Sequence, residues 1–248
     1  MGQDAASKAA AVINTGRCGQ LGWLRGQWKT NLKKLYSNAD KLDRKLLSKI
    51  FWFIIVLLSA YYLYRGIKYR FFIDGNLDAK AIWYYSHLAT AIAPLILGPL
   101  QFWKWLRINH TTLHRTLGKI YIIGALFGGL TAFYLGLTID LEGSVVPLLL
   151  LSTTWLFMTT CAWISIKRKN IAAHRLFMIR SYGLGLVFVF LRLIGDIPQD
   201  KLFYFIQSEE MRDSTLEWVS WVIPLLTIEL IFSWIPLIRQ NKRWFTGH

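Results

Sequence analysis

The sequence predicts an all-α fold: a polytopic membrane protein, a bundle of six transmembrane helices with both termini on the cytoplasmic side. Three observations predict it. Of the 248 residues, 54% are hydrophobic and only 17% charged, with a mean hydropathy of +0.35, a balance that soluble domains of this length do not carry. Several apolar runs reach the ~18–20 residues that a helix needs to cross a hydrocarbon core of ~30 Å. Lys and Arg gather in alternate connecting loops, the asymmetry that orients helices in a membrane.

Residues 1–49 are polar and basic and form a cytoplasmic or membrane-surface arm. No apolar run follows a short charged start, so no cleavable secretory signal is expected. MGQDAAS misses the myristoylation pattern because its hydroxyl residue, Ser7, stands one place late. Further on, Trp23, Leu24, Trp28, Leu32 and Leu35 alternate with Lys and Arg, which reads as a basic helix on an anionic membrane surface or as a solvated tail.

The spanning domain then covers residues 50–238, and a basic tail, 239–248, closes the chain. The first span is expected over about Ile50–Tyr64, short unless flanking aromatics and lysines extend it. The others are expected over about Trp83–Phe102, Thr116–Thr138, Val145–Ile166, Leu176–Ile194 and Trp218–Ile238. Trp52, Trp83, Trp103, Trp105, Trp163, Trp218 and Trp234 fall toward the span ends, as interfacial aromatics do. In span three, Gly124, Gly128, Ala132 and Gly136 recur every four residues. Such a stripe lets helix backbones approach closely in lipid, within one chain or between two copies.

Basic residues precede span one and follow spans two, four and six, from Lys41 and Lys49 to Lys242 and Arg243. The opposite side holds Asp140, Glu142 and the acidic segment 196–213, diluted by Lys68 and Arg70. The positive-inside rule sets the termini in the cytoplasm. It also accounts for the formal charge of +15, so no nucleic-acid partner is expected. Cys18 and Cys161 lie in the basic arm and inside an apolar run, badly placed to pair. No nucleophile–base pattern, phosphate-binding glycine loop or carboxylate dyad is present, and whether the protein is an enzyme stays open.

Polar groups inside the apolar runs are costly in lipid and are therefore the candidate functional residues. His114–Arg115 and His174–Arg175 open spans three and five on the same, cytoplasmic side. Each Arg stands at a helix N-terminus, which already favours anions. Arg180 lies about one and a half turns into span five and Glu229 around mid-depth in span six, with no partner named by the sequence. His87 and Arg192 are placed to share one depth on the outer side, a second polar site. Arg180 and Arg192 also read as arginines that snorkel to headgroups. Three chemistries suit the His-Arg end: haem b ligated by His114 and His174, a divalent metal on His110, His114 and His174, or lipid phosphates with no cofactor. The first two are weakened by position. Both histidines lie at the membrane surface, and His110 falls in the loop before the helix, so no metal ligand is assigned.

LGPLQFWKWLR (Leu97–Arg107), LHRTLGKIY (Leu113–Tyr121), AAHRLFMIRSYGL (Ala172–Leu184) and LRL (Leu191–Leu193) resemble the bacterial predicted multi-pass membrane proteins of domain-of-unknown-function family 2306. The resemblance covers about Trp83–Leu193. It implies a set of recurring polar residues at His87, Gln101, His114, Arg115, Gly118, Tyr121, His174, Arg175, Met178, Arg180 and Arg192. His110 matches no recurring histidine, and Phe177 stands where a tryptophan is usual. The family implies no established activity.

The expectation is an uncharacterised, multi-pass subunit of the bacterial inner membrane. It would bind a lipophilic redox-active or anionic ligand, haem b or quinone, at the cytoplasmic ends of spans three and five. His114, His174, Arg115, Arg175, Arg180, Gln101, Tyr121 and Met178 are its candidate binding residues. Membrane lipids and a larger membrane complex are the expected partners. The alternative is a non-catalytic accessory subunit of such a complex, with the same residues binding lipid.

Overall fold

The computed structural model describes residues 46–68 and 79–239, with side chains from residue 81 in the second stretch. The basic arm with Cys18, Arg70 of the first loop, and the tail residues Lys242 and Arg243 lie outside the described residues. The chain divides into two compact units, 1–55 and 56–248. The first contributes only the start of helix α1, Leu46–Lys68.

The described residues are helical apart from short connections, with no strand among them. After α1 come α2 (Ala79–Phe102), the short α3 (Lys104–Asn109), α4 (Thr111–Leu137), α5 (Glu142–Lys167), α6 (Ile171–Gly185), α7 (Val187–Gly195), α8 (Gln199–Leu202) and α9 (Glu209–Glu229). A π-helical turn, Leu230–Trp234, prolongs α9 toward Arg239. Six helices are long and apolar enough to span a membrane: α1, α2, α4, α5, α6 with α7, and α9 with its extension. The expected six spans are therefore present.

Their ends differ from the expectation in one direction. The helices that carry spans three to six begin at Thr111, Glu142, Ile171 and Glu209, three to nine residues before the expected starts. Apolar patterning reports only the part of a helix in hydrocarbon; its polar first turn is set by capping. Asn170 accepts from the Ala173 N–H at 3.0 Å, and Ser208 from Met211 N–H at 3.4 Å. Glu209 and Glu210 then sit in the first turn of α9, where the helix dipole favours acids. Span five is not one uninterrupted helix. It breaks at Leu186, after Gly183 and Gly185, residues that weaken a helix interior.

In the second unit α2 packs along α4, α4 along α5 and α5 along α6, while α9 packs against α5, α6 and α7. The small-residue stripe serves these internal contacts. A Cβ on Gly124 would stand 2.8 Å from the Thr90 carbonyl oxygen of α2, and Gly128 faces Ala91 of α2 and Trp155 of α5. One buried polar node ties three spans. Ser181 Oγ lies 3.1 Å from Tyr121 Oη and 2.8 Å from Thr159 Oγ1, so α4, α5 and α6 each satisfy a hydroxyl that would be costly alone in lipid.

Candidate functional site

The polar residues form three groups at different depths. At the first, His114 and His174 come within electrostatic reach of each other, with Arg107 and Arg115 beside His114. Gln101, buried at the end of α2, holds His114 from behind. With its amide set so that every contact is complementary, its nitrogen donates to His114 Nδ1 at 3.0 Å and to the His114 carbonyl at 3.3 Å. Its oxygen accepts from the Gly118 N–H at 3.3 Å. A Cβ on Gly118 would stand 3.2 Å from the Gln101 amide, so the glycine leaves room for the clasp. His174 Nδ1 lies 2.9 Å from the Ala162 carbonyl; a carbonyl only accepts, so this Nδ1 carries the proton. In their neutral forms the two imidazoles are thus opposite tautomers. His114 offers an Nε2–H donor, and His174 an Nε2 acceptor.

Around them the expected residues separate. Arg115 and Arg175 are exposed at their helix starts. Tyr121 and Met178 are buried in the core, Tyr121 in the Ser181 node. His110 caps α4 and packs its ring 4.7 Å from that of Trp105.

Arg180 belongs to a second group. Its guanidinium grips Glu229 through Nε, and again at 2.8 Å through the second terminal nitrogen, which also donates to Ser233 Oγ at 3.1 Å. The bidentate fork matches the carboxylate. Ser233 comes from the π turn, an irregularity that re-aims side chains. Arg180 does not snorkel to headgroups. A carboxylate holds it inside the bundle.

The third group surrounds a cavity of about 280 Å³ in the opposite half of the bundle from the His114–His174 pair. Its wall is mostly apolar, with His87 and Ala132 from α2 and α4, Trp155 from α5, Arg192 from α7 and Glu217 from α9. His87 and Arg192 thus both line this cavity. His87 Nδ1 lies 2.9 Å from the Gly128 carbonyl, so it is the protonated nitrogen and Nε2 is left as the acceptor. Arg192 donates to the Phe188 carbonyl at 3.2 Å and lies 3.8 Å from that ring's centroid. No carboxylate of a described residue comes within 4.0 Å of it. Glu217 Oε2 and the Trp155 indole N–H are both buried without a hydrogen-bond partner among the described residues. Ser144 lies close to Glu217, yet its hydroxyl is unpartnered as well. The stretch of α9 before Glu217 is clamped to Gly143: Glu210, two turns earlier, accepts from the Gly143 N–H at 2.8 Å, and Ser214 Oγ, about one turn earlier, donates to the Gly143 carbonyl at 2.7 Å.

Glu217 and Trp155 were not among the residues singled out from sequence. Glu217 falls between the acidic segment 196–213 and the apolar run that starts at Trp218; Trp155 lies mid-span, without the interfacial placement that marks the other tryptophans. One signal for Glu217 existed. Arg180 to Arg192 and Glu217 to Glu229 are both steps of twelve residues, the spacing that two antiparallel helices need to oppose two pairs.

No curated protein and no solved structure matches this chain. The family model described as Predicted membrane protein (DUF2306) matches residues 84–232, a stretch holding the three polar groups apart from Ser233. Six membrane-length helices and that match over more than half of the chain identify it as a member of this family of multi-pass membrane proteins.

Proposed function

We propose that the chain works as a ligand-binding membrane protein, holding a lipophilic molecule with a polar head in the cavity between α2, α4, α5, α7 and α9. The cavity carries this reading: an apolar volume with a few convergent polar groups is the usual form of a small-molecule site. Here those groups are ionisable residues within a membrane domain. Ala132 lines the cavity, so Ala132→Phe would fill it. Protein purified in mild detergent should carry a lipophile detectable by mass spectrometry, and Ala132→Phe should lose it while remaining monodisperse. Equal content in both proteins would sink the proposal.

The opposite tautomers of His114 and His174 favour a second site, at the end with the basic loops, which would face the cytoplasm of a bacterial inner membrane. A donor beside an acceptor suits a quinone or an anionic lipid head, with Arg115 and Arg175 near its charge. It suits haem less well, because with Gln101 donating to His114 Nδ1 the ring proton sits on Nε2, and axial ligation would require the amide to turn and the ring to change tautomer. Oxidised and dithionite-reduced absorption spectra should therefore lack a Soret band. A band that shifts on reduction and disappears in His174→Ala would overturn this reading.

A further inference from the structure

We infer that the cavity takes an uncharged lipophile whose head both donates and accepts hydrogen bonds at two edges, of the quinol (dihydroxy-ring) class. The inference rests on the cavity reading above and adds the chemistry of the head.

Beside Ser152, whose hydroxyl donates to the Leu149 carbonyl, and Tyr84, which lies within electrostatic reach of Arg192, four groups lining the cavity come in two kinds, each with hydrogen-bonding capacity left over. The donors are Arg192, with one N–H used on Phe188 out of the five that a guanidinium has, and the Trp155 indole N–H, buried with no partner. The acceptors are Glu217 Oε2, also buried with no partner, and His87 Nε2, since its Nδ1 proton goes to Gly128. A hydrocarbon in this space would leave four polar groups dry, a costly outcome in low dielectric. While Glu217 is ionised, a carboxylate head would suit Arg192 and meet the charge of Glu217; an ammonium head would suit Glu217 and meet Arg192. Neither charge satisfies both walls.

A ring with two hydroxyl oxygens does. Each oxygen accepts as well as donates, so one edge can take protons from Arg192 and Trp155 and give its own to His87, while the other gives its proton to Glu217. The volume of about 280 Å³ lies near the lower limit for small-molecule sites, which suits a single substituted ring. Trp155 and Phe188 supply aromatic wall against which such a ring packs well.

The test compares probes of one chain length on the full-length protein in phosphatidylcholine nanodiscs, kept anaerobic: decyl hydroquinone, its dimethyl ether, decanoate and decyltrimethylammonium. The hydroquinone should bind at least about tenfold more tightly than each of the others, the loss expected when hydrogen bonds to buried polar groups go unmade. Arg192→Met and Glu217→Met should each weaken it by about tenfold, and Trp155→Phe by less. The probe comparison needs no variant, so it stands even where a variant fails to fold. Equal binding of the dimethyl ether, or tighter binding of decanoate, overturns the quinol-class head and leaves the cavity reading intact. Binding of every probe unchanged by Ala132→Phe overturns the cavity reading itself.

Discussion

Spans five and six bring together two Arg–Glu pairs of opposite fate. Arg180 and Glu229 close on each other, and Ser233 completes the clasp. Arg192 and Glu217, twelve residues further along one helix and twelve back along the other, oppose each other ~18 Å away in depth at 1.5 Å per residue. They stay apart across a cavity. Residue types and spacing are the same; what differs is the space between the helices. An intramembrane charge is therefore not functional by its presence alone. It points to a ligand where the protein leaves it unsatisfied.

The largest effect should come from breaking the closed pair. Arg180→Met leaves Glu229 without its cation, and removing one partner of a buried ion pair costs about 3–5 kcal/mol. The side chains are 12% and 21% exposed, which sets the expectation near the lower figure. Thermal unfolding in detergent should show the loss, and Arg180→Met with Glu229→Met should recover most of it. In the open pair, Arg192→Met or Glu217→Met should move ligand-free stability by less than about 1 kcal/mol, since Glu217 Oε2 has no bond to lose among the described residues and Arg192 loses only its contacts with Phe188 of its own helix. If Arg192→Met costs as much as Arg180→Met, the two pairs are energetically alike and the contrast fails.

A smaller loss tests the packing that holds the closed pair. Tyr182, two residues after Arg180, lies on Gly98 of α2, where a Cβ would stand 2.0 Å from the ring. Tyr182 is only 4% exposed and has little room to yield. Gly98→Ala should therefore cost about 2–3 kcal/mol by overpacking. An unchanged melting midpoint would mean that α2 and α6 slide apart easily, and that the depth of Arg180 is not set there.

Most of the fold was legible because lipid imposes one rule, satisfaction of the backbone within helices, and helices of that length announce themselves by composition. Helix starts were less legible, since Asn170 and Ser208 cap outside the apolar runs. The break at Leu186 was hidden for a related reason: Gly183 and Gly185 are apolar enough to continue a hydropathy run. His87, His114, His174 and Arg192 could be singled out because charge and imidazole are costly in lipid. Which of them meet was not legible. The Gln101–His114 clasp joins residues on different helices, and the partner of Arg180 lies forty-nine positions away. The cavity was least legible of all. It is a property of how five helices pack, and two of its polar groups, Glu217 and Trp155, look ordinary in sequence.

The smallest expected effect concerns a third Arg–acid pair, on the same side of the bundle as the open one. Arg65 holds both oxygens of Asp196, at 2.6 and 2.7 Å, and Tyr62 donates to the same carboxylate at 3.0 Å. The ion pair is exposed, with side chains 54% and 39% accessible, so solvent screening leaves it only a modest contribution. The Arg65 bond, helped by that of Tyr62, holds the Asp196 carboxyl below its ordinary range. A depressed folded value means that the contribution is complete above the unfolded carboxyl value of about 3.9 and is lost as pH falls through the lower folded value. The melting midpoint of Asp196→Asn should therefore lie slightly below that of the parent from pH 8 to pH 5, and the gap should close below about pH 4. A gap that stays constant down to pH 3 would mean that Asp196 acts by hydrogen bonds which asparagine cannot replace, and that charge contributes nothing there. A gap that closes as expected places this pair with Arg180–Glu229, as charges that answer each other and need no ligand.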